Sequence, residues 1–212
     1  MQIVFWTSAF ILDILNVVSI SYIVLSGLRT KSQIQRVLFI FLTGSLISDC
    51  LGYLFSYHNY SNFPILNIYT CFEFIVLSFM FKSLFSIKPS KFFIILLLIY
   101  FSIFLFRYAN ALQQNAFIPP IFESATLVLL SILYFFKLIE NFEYPSLFDY
   151  PSFWLNLGLL TYFCGTFFIF LFATHILFDK NLSYFWLLNN FFNIIFRVIV
   201  ILSLNKWTKE AK

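Results

Sequence analysis

The sequence predicts an all-α polytopic membrane protein, a bundle of seven transmembrane helices with the N-terminus out and the C-terminus in. Three observations carry this. First, 61% of the 212 residues are hydrophobic and only 10% are charged, where a soluble globule carries roughly 25% charged residues. The mean hydropathy is +0.91, so a water-soluble fold would have little to present to solvent. Second, the apolar residues gather into seven stretches separated by short loops. Third, the lysines and arginines segregate between alternate loops.

A helix that crosses the hydrocarbon core needs about 20 apolar residues, each rising about 1.5 Å. The stretches that qualify are Val4–Ser26, Val37–Tyr57, Ile65–Ser86, Phe92–Arg107, Ile118–Ile139, Ser152–Phe178 and Ser183–Leu204, the fourth being the shortest. The first has no basic residue before Asp13 and no small-residue cleavage site after it, so it reads as a retained helix rather than a signal peptide. Residues 1–212 form one domain. Pro64, Pro89, Pro119, Pro120, Pro145 and Pro151 fall between spans or at helix starts, where the missing N–H costs nothing. Trp6, Trp154, Trp186 and Trp207 each lie near a span end, the interfacial position that suits an apolar ring with a polar N–H.

Arg29, Lys31, Arg36, Lys82, Lys88, Lys91, Lys137, Lys206, Lys209 and Lys212 all fall on one side of a seven-span chain. Arg107 and Lys180 fall on the other, and Arg197 lies inside the seventh span. The positive-inside rule then puts the C-terminus in the cytoplasm of a bacterial-type cytoplasmic membrane. Topology accounts for the net charge of +4, so no nucleic-acid partner is expected. Cys50, Cys71 and Cys164 all fall in spans, which argues against a disulfide framework.

Charged and amide side chains inside these spans mark a polar site, because a bilayer accommodates them only where the bundle interior receives them. Counted from the outer ends, Asp13 lies roughly 13 Å deep, Asp49 and Glu73 roughly 12 Å, Glu123 roughly 7 Å and His175 roughly 4 Å. Spans of opposite direction thus place their carboxylates in one outer layer. In the seventh span Trp186, Asn189, Asn190, Asn193 and Arg197 recur at three- and four-residue spacing along one face. Asp13 with Asn16, Thr70 with Glu73, and Glu123 with Thr126 repeat the spacing more weakly. The expectation is a polar cavity in the outer half, closed toward the cytoplasm by apolar packing. The alternative is that these groups simply hold helices together. Gly44, Ser48 and Gly52, and Gly158 with Gly165, read as close-packing positions between helices.

Several activities are argued against by absent residues. The seventh span has no lysine for a retinal Schiff base, and two histidines, His58 and His175, cannot make a three-histidine metal site. No nucleophile–base pair is recognisable, so the reading leans away from an enzyme, with no cofactor and no metal expected. The pattern Asn67-x-Tyr69-x3-Glu73 with Phe153-Trp154-x3-Gly158-x3-Tyr162 resembles uncharacterised bacterial seven-span integral membrane proteins. That resemblance covers two helices and implies no particular activity.

The expected function is a receptor-like or accessory membrane subunit that binds a small polar or cationic ligand from outside. Asp13, Asp49, Glu73, Glu123 and His175 would bind it together with Asn189, Asn193 and Arg197. Loops this short hold no signalling domain, so output would pass through a membrane or cytoplasmic protein partner. The Glu140–Pro151 loop, with acidic and aromatic residues interleaved, is the docking candidate. A small secondary transporter or proton-coupled carrier, and a structural subunit of a membrane complex, are the alternatives.

Overall fold

The computed structural model describes residues 2–27, 32–60, 62–86, 91–110, 117–140, 146–173 and 185–210. Among them are seven α-helices: α1 (Gln2–Leu25), α2 (Gln33–Tyr57), α3 (Phe63–Leu84), α4 (Lys91–Asn110), α5 (Ile118–Glu140), α6 (Pro151–Leu171) and α7 (Phe185–Glu210). A single 3-10 turn, Leu147–Asp149, precedes α6. Six of the helices, all but α4, are long and apolar enough to cross a membrane. The apolar part of α4, Lys91–Phe106, is shorter.

Local chemistry sets the helix ends. The Ser32 hydroxyl caps α2 by accepting from the Gln35 N–H at 3.3 Å. Pro64 and Pro151 sit in the first turns of α3 and α6, where no intrahelical N–H is required. Gly27, at φ 67°, turns the chain out of α1 in the left-handed conformation that a side chain disfavours. Lys137 reaches from α5 to donate to the Leu84 and Phe85 carbonyls at 3.2 and 2.6 Å, satisfying acceptors that the end of α3 leaves open.

Six helices close a ring in the order α1, α2, α3, α5, α6, α7 and back to α1, while α4 lies outside it against α5 and α3. Small residues make the closest seams. A Cβ on Gly158 would stand 3.1 Å from Phe196 and 3.2 Å from Ile199, and one on Gly165 would overlap the Phe192 ring. A Cβ on Gly44 would likewise overlap Phe72. These glycines therefore pack α6 on α7 and α2 on α3. Gly52 does not, since a Cβ there meets nothing within 4 Å. It faces open space rather than a neighbouring helix.

The outward faces carry bare apolar side chains such as Phe10, Leu98, Leu129 and Phe168, each about 60% exposed. Six apolar helices with such faces make this a multi-pass membrane protein. The half of the bundle at the C-terminal end of α1 is solid. Ile23, Leu38, Phe41, Leu42, Leu155, Leu159, Phe196, Val200 and Leu204 are fully buried there. Tyr22 bonds Thr208 at 2.9 Å, Ser203 donates to the Pro151 carbonyl at 2.8 Å, and Lys206 pairs with Asp149 at 2.8 Å.

Those ties explain why α7 runs on to Glu210 rather than stopping at Leu204. Its polar last turns gain partners that hydropathy does not register. The predicted continuation of the sixth span to Phe178 lies beyond the described residues, as do Phe142, Glu143 and Tyr144 of the Glu140–Pro151 loop. Within that loop Asp149 is committed to Lys206, and the Trp154 indole donates to the Phe148 carbonyl at 2.7 Å.

Candidate functional site

The half of the bundle at the N-terminal end of α1 is hollow. A cavity of about 350 Å³ is lined by all six ring helices, each contributing the half that lies at this end. Asp13 comes from α1, Asp49 from α2, Glu73 from α3, Glu123 from α5, and Asn189 and Asn193 from α7. Helical spacing explains the alignment. On α2 the cavity residues Ser45, Ser48, Asp49, Gly52 and Ser56 each stand three or four residues from another of the set, and so share one face. On α3 Ile65, Leu66, Tyr69, Thr70 and Glu73 do the same.

The carboxylates differ in their surroundings. Asp49 is exposed to the cavity, Asp13 is half-buried, and Glu73 and Glu123 are buried. Asp13 accepts from the Tyr53 hydroxyl at 2.9 Å, and Glu73 accepts a long contact from Tyr69 at 3.5 Å. Each carboxylate feels the next electrostatically, in the sequence Asp13, Asp49, Glu73, Glu123. Glu123 is 2% exposed and its Oε1 has no protein partner among the described residues. The Oδ1 atoms of Asn189 and Asn193 are also unpartnered. Buried polar atoms left without partners are costly, and these are acceptors on the cavity wall.

Arg197 stands one turn beyond Asn193, beneath the cavity floor. It makes no ion pair with Glu73 or Asp49. Its Nη2 donates to Ser45 at 2.8 Å, and its guanidinium lies 5.2 Å from the ring centroids of both Phe41 and Phe196. Nη1 is buried without a partner. The field of Arg197 still reaches Glu73 and Asp49. Among the described residues, four carboxyl groups therefore line the cavity and a single guanidinium lies below it.

Of the remaining expected residues, His175 lies outside the described residues. His58 is exposed at the end of α2. Asn190 lines the cavity and donates to Ser8 at 2.9 Å, tying α7 to α1. Asn16 is buried away from the cavity, and Ser124, not Thr126, accompanies Glu123. Trp6, Tyr53, Tyr162, Thr166 and Ser45 also line the cavity, although their sequence positions alone do not place them in the site. Spacing gives a signal for Tyr53, which stands four residues after Asp49 and so shares its face. Among the described residues, no three His, Cys, Asp or Glu side chains are close enough to hold a metal ion. The acidic groups are spread around a wall rather than converging on a point.

In comparisons with known proteins, the chain matches no family model, no curated protein and no solved structure. What the cavity accommodates is therefore read from its own residues.

Proposed function

We propose that this is a receptor-like or accessory membrane subunit that binds a small organic cation in the central cavity. The chain spans the bilayer seven times, with its N-terminus outside and the cavity opening to the exterior. The ten-to-two segregation of basic residues supports that orientation. One observation carries the binding reading: four carboxylates and two asparagine oxygens line a cavity that, among the described residues, has no cationic side chain in its wall, Arg197 being tied to Ser45 below it. A volume of about 350 Å³ falls within the range of small-molecule sites. Acceptors spread around the wall suit a diffuse organic cation better than a point-like metal ion. Asp49, exposed and without a protein hydrogen bond among the described residues, is the primary anchor; Glu73 and Glu123 supply the negative wall. The output passes to a protein partner.

A carrier is the second reading, favoured by the adjacent buried carboxylates Glu73 and Glu123, a setting that suits ion coupling. Flux in liposomes separates the two. The binding test uses tetramethylammonium on purified protein in nanodiscs, followed by calorimetry. A carboxylate near 4 Å at an effective dielectric of 20 interacts with a cation by about 4 kcal/mol. Asp49→Asn is therefore expected to weaken binding at least tenfold, which needs only about 1.4 kcal/mol. Equal binding by wild type and Asp49→Asn, or no binding by either, refutes the cation site.

A further inference from the structure

Two apolar grooves run along the outside of the bundle on either side of the seam between α1 and α2. One is walled by Cys50, Leu54 and Tyr57 of α2, the other by Phe10 and Ile11 of α1. Both are bounded by Trp6 and Tyr53, which also line the central cavity. Asp13 lines the cavity and the α1 groove alike. The partition between the acidic cavity and the lipid-facing surface is thus two aromatic rings thick.

Those rings are 5.8 Å apart at 33°, and the Tyr53 hydroxyl holds Asp13 at 2.9 Å. Two other seams at this level are closed by fitted contacts. Gly165 receives Phe192 between α6 and α7, and Asn190 bonds Ser8 between α7 and α1. Gly52, which lines the central cavity from α2, leaves open space. Phe10 and Leu54 are 66% and 56% exposed and offer the grooves a bare apolar wall.

We infer that the occupant is an amphiphilic cation, a single alkyl chain with an ammonium head, entering sideways from the bilayer through the Trp6–Tyr53 seam. This rests on the cation-binding reading and names its ligand class. Charge complementarity selects the head, since the cavity is walled by Asp13, Asp49, Glu73 and Glu123. Continuity selects the tail, because the grooves share Trp6, Tyr53 and Asp13 with the cavity and are otherwise apolar. Depth agrees as well. Tryptophan resides at the membrane interface, where the head of a bilayer-dissolved amphiphile also resides. Asp13 lies seven residues further along α1, roughly 10 Å deeper. The head moves that distance between Trp6 and Tyr53, exchanges interfacial water for carboxylates, and leaves its chain against Phe10 and Leu54.

The test uses dodecyltrimethylammonium brominated along its chain, a contact quencher of tryptophan, with the protein in nanodiscs. The Trp6 signal is the difference between wild type and Trp6→Phe. The expected result is saturable quenching of Trp6 that excess tetramethylammonium reverses and that needs at least tenfold more amphiphile in Asp49→Asn. Quenching that is unsaturable, or is unchanged in Asp49→Asn, is mere partition into the lipid and overturns the inference. Tetramethylammonium binding without displaceable Trp6 quenching overturns the lateral route and leaves the cation site standing. Absence of binding by either cation overturns both.

Discussion

Replacing Arg197 with methionine tests whether a guanidinium outside hydrogen-bond range of the carboxylates nonetheless serves as their counter-charge. The side chain is 2% exposed, so water does not replace what is removed. The substitution deletes a charged hydrogen bond to Ser45, about 1.5–3 kcal/mol. It also deletes two cation–π contacts, to Phe41 and Phe196, about 0.5–1 kcal/mol each at the low end. Against this, burying a guanidinium costs several kcal/mol, and a methionine of similar length packs well between two rings. If nothing else changed, the terms would nearly cancel. The carboxylates decide the sign. Without Arg197, the buried Glu73 loses the cation whose field reaches it; removing one partner of a buried pair in direct contact costs about 3–5 kcal/mol, which is an upper bound for this longer-range interaction. The expected net loss is about 2–4 kcal/mol, or roughly 5–15 °C in thermal unfolding for a chain of this size. Lys209→Met, at an exposed site at the end of α7, controls for loss of a charge as such. The decisive measurement is the double-mutant cycle with Glu73→Gln, where the second substitution should restore about 1–3 kcal/mol of the loss. A coupling below about 0.5 kcal/mol, or equal unfolding of the Arg197 and Lys209 variants, would show that Arg197 does not serve as the counter-charge of the carboxylates and is held by Ser45 and its aromatic neighbours alone.

Other outcomes follow from the same packing. Gly52→Ala should stabilise by up to about 1 kcal/mol, because alanine favours the helix and its Cβ meets nothing within 4 Å. Gly165→Ala should instead destabilise, since the new methyl overlaps the Phe192 ring and overpacking costs about 1–3 kcal/mol. The same sign for both changes in a thermal-shift series would contradict the seam assignments. For topology, Asn62→Cys should react with an impermeant thiol reagent from outside intact cells and Ser90→Cys should not. The reverse pattern would invert the bundle and turn the cavity toward the cytoplasm.

The sequence by itself determined where the helices lie, because hydrocarbon permits few backbone solutions and a run of apolar residues long enough to cross it is plain in one dimension. It also located most of the polar wall. An aspartate, a glutamate or an asparagine stripe in such a run has to turn inward, and equal depth along antiparallel helices brings Asp13, Asp49, Glu73, Asn189 and Asn193 to one level. Helical periodicity fixes a residue's angle about its own axis but not the neighbour it meets at that angle. Only the tertiary structure put α3 beside α5 and α4 outside the ring, since glycine–phenylalanine fits such as Gly165 with Phe192 belong to pairs of helices. For the same reason it gave Arg197 to Ser45 and two rings rather than to Glu73. Likewise, Trp6 reads in sequence as an interfacial anchor. Its place as half of a thin wall between lipid and an acidic cavity exists only because α2 sets Tyr53 against it.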